Sequence, residues 1–166
     1  MLPAYTPWNG IGPDGFQRQV LRREPYVVVL GEQHPLSRRD QISLADLRGE
    51  TFRFIARELA PTYYDAVLAA LHSTGETFRL WESPTPGLRS LRLRDPEGGF
   101  TLLPEPVAAR LADVRCLPLT DALPACEVHA VWRPSSAVAR VFVATARTAL
   151  SQHRQLPPDR GPGAVG

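Results

Sequence analysis

The groups in this 166-residue chain that could do chemistry are four histidines, two cysteines, 17 carboxylates and 19 basic residues, all of them arginine. His34, His72, His129 and His153 share no metal-ligand spacing with one another or with Cys116 and Cys126. They read as structural or solvated, and no metal or cofactor is expected. The two cysteines could meet across a turn, but buried, inert thiols are the plainer reading. Gly98-Gly99 lacks the phosphate-loop lysine and the dinucleotide fingerprint, and reads as a strand entry. There is no Gly-x-Ser-x-Gly elbow. Asp46 and Asp65 each stand three residues after a Ser or Thr, so both read as members of helix caps rather than as acid/base groups. Arg89, Arg92 and Arg94 interleave with leucines and read as a solvated helix face; Arg22 and Arg23 precede a strand and are equally plain.

The most informative group is Pro61-Thr62-Tyr63. It opens a helix, whose first N–H groups lack intrahelical acceptors and whose dipole makes that end electropositive. A cleft facing it would bind a small anion such as a carboxylate. Pro61 would fix the entry, Thr62 would add a hydroxyl and Tyr63 an aromatic wall. The alternative is that Thr62 only caps the helix and Tyr63 only packs. Through a cap, Thr62→Ala would cost about 1 kcal/mol of stability.

The elements that must position this group are short. Tyr26-Val-Val-Val-Leu30 is a run of β-branched residues of strand length, suited to burial on both faces of a parallel or mixed sheet. His34-Pro35 ends it. Ser43 to Leu47 is a capped helical turn, and Thr51 to Ile55 alternates Phe52 and Phe54 against Arg53 as a strand does. Tyr64, Val67, Leu68 and Leu71 form one apolar stripe from Thr62 to a stop at Gly75. Further strands are expected at 77–81, 100–103, 114–119 and 127–132, with short helices near 87–93 and 104–111. A last helix opens at Pro134-Ser-Ser, with Val138, Val141, Phe142, Thr145 and Ala149 at helical spacing. Residues 1–16 read as a loop with Trp8 as its apolar anchor, and the Pro/Gly-rich tail reads as disordered. Alternating strands and helices predict a three-layer α/β sheet with right-handed crossovers.

Composition excludes much. Hydrophobic residues make up 43% and charged residues 22%, which is globular rather than disordered or fibrous. A net charge of +2 is too small to imply nucleic acid, and the exclusive use of arginine reads as coding bias. No apolar run approaches a membrane span and no secretion signal opens the chain, so a cytoplasmic protein with free thiols is expected.

The order of segments resembles the effector-binding domain of LysR-type transcriptional regulators. Glu24-Pro-Tyr-Val-Val-Val-Leu-Gly-Glu-Gln-His-Pro-Leu36 is similar to the family's strand and His-Pro-Leu turn, and Ser43 to Leu47 to the short helix that follows. Phe54 to Gly75, Gly98 to Glu105, Val114 to Leu119, Val128 to Arg133 and the helix around Phe142 continue the likeness in order. The resemblance implies a type 2 periplasmic-binding-protein-like fold of two α/β lobes with a small effector between them. It implies that 25–127 form lobe II and that 1–24 and 128–152 are a remnant, crossing segment and last helix of lobe I, followed by a tail from 153. It places Pro61, Thr62 and Tyr63 where the family holds an effector's anionic group. Aromatic carboxylates are among the effectors it suggests.

Two departures accompany it. Met1 falls where the family is already halfway through its effector domain, so the chain reads as N-terminally truncated, without the winged helix-turn-helix and without direct DNA binding. Leu91-Arg-Leu-Arg-Asp-Pro-Glu97 replaces an apolar helix. The expectation is therefore a non-enzymatic effector sensor. Its rivals are a non-sensing remnant or oligomerisation module pairing with itself or with full-length regulators, and a small α/β enzyme, for which the sequence supplies no nucleophile–base pair.

Overall fold

The computed structural model describes residues 4–5, 16–85, 87–95, 98–133 and 135–153. Its strands are β1 (Ala4–Tyr5), β2 (Gln17–Glu24), β3 (Tyr26–Gly31), β4 (Thr51–Ile55), β5 (Arg79–Ser83), β6 (Phe100–Pro104), β7 (Val114–Pro118) and β8 (Cys126–Trp132). Its α-helices are α1 (Pro61–His72), α2 (Glu105–Ala108) and α3 (Ala137–His153). Five strands form a mixed sheet in the order β5-β4-β6-β3-β7; β4 runs parallel to β5 and β6, and β3 runs antiparallel to β6 and β7. A second, antiparallel sheet has the order β1-β8-β2.

The valine run of β3 explains the layers. Successive strand residues face opposite sides. Val28 and Leu30 therefore enter one core with Phe52, Phe54, Phe100, Tyr64, Val67 and Leu71, under α1. Val27 and Val29 enter another with Leu91, Leu93, Leu103 and Ala108, under α2. Both faces are covered, as the uninterrupted apolar run requires. Arg53 does not point to water as the alternation in β4 suggested. It is buried, and its guanidinium lies 4.8 Å from the centroid of the Trp81 ring.

Local chemistry sets the turns. His34 caps the 3-10 helix at Pro35–Arg38 with its Nδ1, which accepts from the Leu36 N–H. Ser43 and Asp46 form the expected capping box on a 3-10 helix, Leu44–Leu47. Gly99 sits at φ +65° with the Thr51 carbonyl so close that a Cβ would lie 2.1 Å from its oxygen, so the strand entry there requires glycine. Gly75 turns the chain after α1 at φ +76°. Leu91 and Leu93 are buried while Arg92 and Arg94 point out and pair with Asp95 and Asp113.

Two expectations need correction. The cap of α1 is Ala60, not Thr62, and no side chain caps that end. Proline is favoured at the first helical position, so Pro61 starts the helix one residue before Thr62 could flank it. Second, Ala4 and Tyr5, read as part of an opening loop, form the short strand β1 against β8; along α3, Val138, Val141 and Phe142 face outward while Val143 is buried and the helix touches β2. Trp8, Pro96 and the tail after residue 153 lie outside the described residues.

Candidate functional site

The chain leaves β4 at Ile55 and crosses Ala56, whose N–H donates to the Ser83 carbonyl at 3.0 Å. It then makes a 3-10 turn at Arg57–Leu59 and enters α1 through Ala60 and Pro61. This brings the start of α1 to the C-terminal ends of the parallel strands β4 and β6. In open α/β sheets, ligands bind outside those strand ends.

Pro61 and Thr62 are exposed, while Tyr63 is buried with its ring 5.5 Å from that of Phe54. The three are thus split. Two face water at an uncapped helix start, and the third forms part of the wall beneath. Beside them opens a hollow of about 340 Å³, bounded by Ala60 and Tyr63 on the helix side and by Phe54, Leu91, Leu103 and Val107 elsewhere. The lining is almost wholly apolar. Sequence reasoning found the helix start but missed the hollow. Residue order marks Leu103 only as the end of a strand and Val107 only as part of a short helix, and their convergence on Tyr63 is a tertiary fact.

Charge near the helix start is already committed. Arg57 Nε and a terminal nitrogen donate to the two oxygens of Asp65, each at 2.7 Å. These bonds hold the Asp65 carboxyl below the usual carboxylate range. Asp65 therefore pairs with Arg57 and plays no part in a cap. Tyr64, the residue before Asp65, has its hydroxyl pushed up to about 12, first by burial and then by its interaction with Glu82.

A larger hollow of about 460 Å³ lies at the other end of β3, lined by Gly31, Glu32, His34, Arg94 and Asp113 among others. Its arginine is paired: Arg94 donates to Asp113 at 2.8 Å. The remaining candidates fall into structural roles. His129 is buried against Glu127 at 3.0 Å, His72 is exposed, and the His153 side chain is outside the described part. Cys116 and Cys126 are free thiols whose pKa values burial pushes up, so neither is a ready nucleophile. No group of metal-ligating side chains occurs among the described residues.

The fold is thus a mixed α/β sheet with helices on both faces and a second small sheet, with an apolar hollow beside the start of α1. The chain belongs to the LysR substrate binding domain family, whose profile matches residues 5–151. It is 29% identical over 119 residues to the HTH-type transcriptional regulator BudR of Raoultella terrigena, covering 71% of this chain and 41% of BudR. The BenM effector binding domain, solved with its effector benzoate, matches with a TM-score of 0.71 at 18% identity, over 90% of this chain and 70% of that one. The QuiR effector binding domain in complex with shikimate matches with a TM-score of 0.66 at 16% identity, over 84% and 67%. Likenesses at these identities are ones of fold, and they establish the α/β, periplasmic-binding-protein-like class. The chain spans less than half the length of BudR. The family is one of transcriptional regulators. No helix among the described residues is long and apolar enough to cross a membrane.

Proposed function

We propose that this chain is the effector-sensing part of a LysR-type regulator and that it takes a small anionic metabolite with an apolar, aromatic-sized body. One observation carries this reading: the uncapped start of α1 opens on an apolar hollow of about 340 Å³. The electropositive helix end suits a carboxylate, and the hollow suits a ring. Pro61 shapes the entry, Thr62 offers an exposed hydroxyl, and Tyr63 forms the wall. BenM's domain takes benzoate and QuiR's takes shikimate, two carboxylates of which the first has the apolar body this hollow favours.

On this reading residues 25–127 form the effector lobe, and 1–24 with 128–152 belong to the other. The chain itself does not bind DNA and acts without catalysis. An effector shifts the regulator between two arrangements through its differential affinity for them. The deciding experiment is a melting curve with a panel of carboxylates at millimolar concentration. Benzoate should raise the midpoint and benzyl alcohol should not. A folded sample that responds to no carboxylate would sink the proposal.

A second reading rests on α3. Val138, Val141 and Phe142 are 81%, 68% and 51% exposed, an apolar face that favours association. As an oligomerisation module, the chain would pair with itself or with a full-length regulator. Mixing with an intact paralogue, followed by size-exclusion chromatography, separates a monomeric sensor from a pairing module.

A further inference from the structure

The larger hollow, of about 460 Å³, is of ligand size and lies apart from the α1 entrance. Tyr26 opens β3 opposite Pro104, which lines the α1 hollow, and Gly31 closes the same six-residue strand at the larger one. Three connections build its walls: the turn after β3, the loop ahead of β6 and the residue ahead of β7. They are laced together. Gly31 and Gly98 each abut the Leu93 carbonyl, where a Cβ would lie 2.3 Å from the oxygen. Arg94 donates from one terminal nitrogen to the Ala112 carbonyl at 2.9 Å and pairs with Asp113 at 2.8 Å.

Two groups in these walls are unanswered, one a donor and one an acceptor. The His34 side chain is only 9% exposed. Its Nδ1 accepts from the Leu36 N–H at 3.2 Å, so the neutral ring carries its proton on Nε2. That N–H has no acceptor among the described residues; the Glu50 carboxylate, 3.8 Å away, is beyond hydrogen-bond reach. A buried donor left unmatched is costly and calls for an oxygen. Glu32, two residues earlier, is exposed, and its side chain makes no ion pair or hydrogen bond among the described residues. The other two carboxylates of the lining are taken, Asp95 by Arg92 and Asp113 by Arg94.

We propose that this hollow is a second binding site, for a small zwitterion of the amino acid type. Its ammonium meets Glu32, a carboxylate oxygen accepts from His34 Nε2–H, and an apolar side chain lies against Leu93 and Pro35. A molecule carrying only one of the two charges answers only one of the two groups. The site is separate from the α1 hollow, and its occupancy does not depend on the effector reading.

L-Leucine, titrated into the intact chain at millimolar concentration, tests this against its two halves, isoamylamine, which lacks the carboxylate, and isocaproate, which lacks the ammonium. Amide NMR should show saturable shifts at Gly31, Glu32, His34, Gly98 and Asp113, and none at Thr62 and Tyr63. Each half should bind about tenfold more weakly than leucine, the worth of one charge-assisted contact. Glu32→Gln should weaken leucine by about the same factor. His34→Asn keeps a side-chain oxygen able to cap the turn at Pro35 and removes the ring donor, so it should weaken leucine about fivefold. Should that variant fail to fold, Glu32→Gln still decides, because the Glu32 side chain holds nothing in place. The proposal is overturned if leucine produces no saturable shift in the folded chain, if the shifts centre on Thr62 and Tyr63, if either half binds as tightly as leucine, or if Glu32→Gln leaves the affinity unchanged.

Discussion

Arg57 clasps Asp65 through two parallel hydrogen bonds of 2.7 Å, tying the turn ahead of α1 to the helix itself. The pair occupies the Arg57 guanidinium. On the effector reading, an anion there would be met by backbone amides and the Thr62 hydroxyl rather than by Arg57. The pair also has a measurable signature. Hydrogen bonds from Arg57, then its charge, lower the Asp65 pKa. A lowered folded-state value means that the pair's contribution is present above the unfolded pKa and lost as pH falls through the folded one. Carboxyl-carbon NMR should place Asp65 below ordinary aspartates, and Arg57→Gln should return it to the usual range. Both side chains are more than half exposed, so added salt should weaken the shift.

Thr62→Ala becomes a clean probe because Thr62 is not the cap. Its side chain is exposed and the capping position belongs to Ala60. Surface replacements of this kind stay within about 0.5 kcal/mol, not the roughly 1 kcal/mol of a lost cap. Urea unfolding should show that small change. Any loss of benzoate affinity in the same variant then reports the hydroxyl's contact with the ligand. A stability loss of about 1 kcal/mol or more would restore Thr62 to the capping role.

The contrast between Thr62 and Ser43 shows what the sequence could and could not settle. At Ser43 the capping pattern is not contested, and the Ser43–Asp46 box forms as read. At Thr62 the same spacing to an acidic residue is present, but Pro61 starts the helix earlier and Arg57 takes the carboxylate. Periodicity located β3, β4, β6 and α1 because burial on defined faces leaves a mark in residue order. It could not orient α3. Val138, Val141 and Phe142 share a spacing whether they face a core or water, and Ala139, Val143, Ala146 and Leu150 offer a second stripe, with smaller side chains, that the structure turns inward. β2, with its run of Gln, Arg and Glu, had no strand pattern to read; it forms because β8 pairs with it along almost its whole length. The hollow was illegible for a related reason, since its walls come from elements far apart along the chain.

Filling the hollow separates its two proposed functions, apolar shelter and anion contact. Val107 lines it and is only partly buried. Val107→Phe adds a ring that the space beside Tyr63 can hold, so stability should change by less than about 1.5 kcal/mol, as for well-tolerated apolar exchanges. The benzoate-induced rise in melting temperature should disappear. Retention of the full rise would place the ligand elsewhere, the hollow near Gly31 and Arg94 being the next place to look.

The outward stripe of α3 makes its own prediction. A helix that presents Val138, Val141 and Phe142 to water, with Val131 of β8 also 43% exposed, has apolar surface that association would cover. Replacing Phe142 by Glu removes a large part of it, and Phe142 belongs to neither core cluster and does not line the α1 hollow. If the face mediates pairing, sedimentation velocity should show the mass falling toward that of a single 18.3 kDa chain. The unfolding midpoint at low concentration should shift little, because a group half in water contributes little to the fold of one chain. A chain that is already a monomer, and that stays one in both forms across the concentration range, would count against the pairing reading and leave effector sensing as the function to test. A large fall in stability without a change in mass would instead mean that Phe142 packs inward in solution.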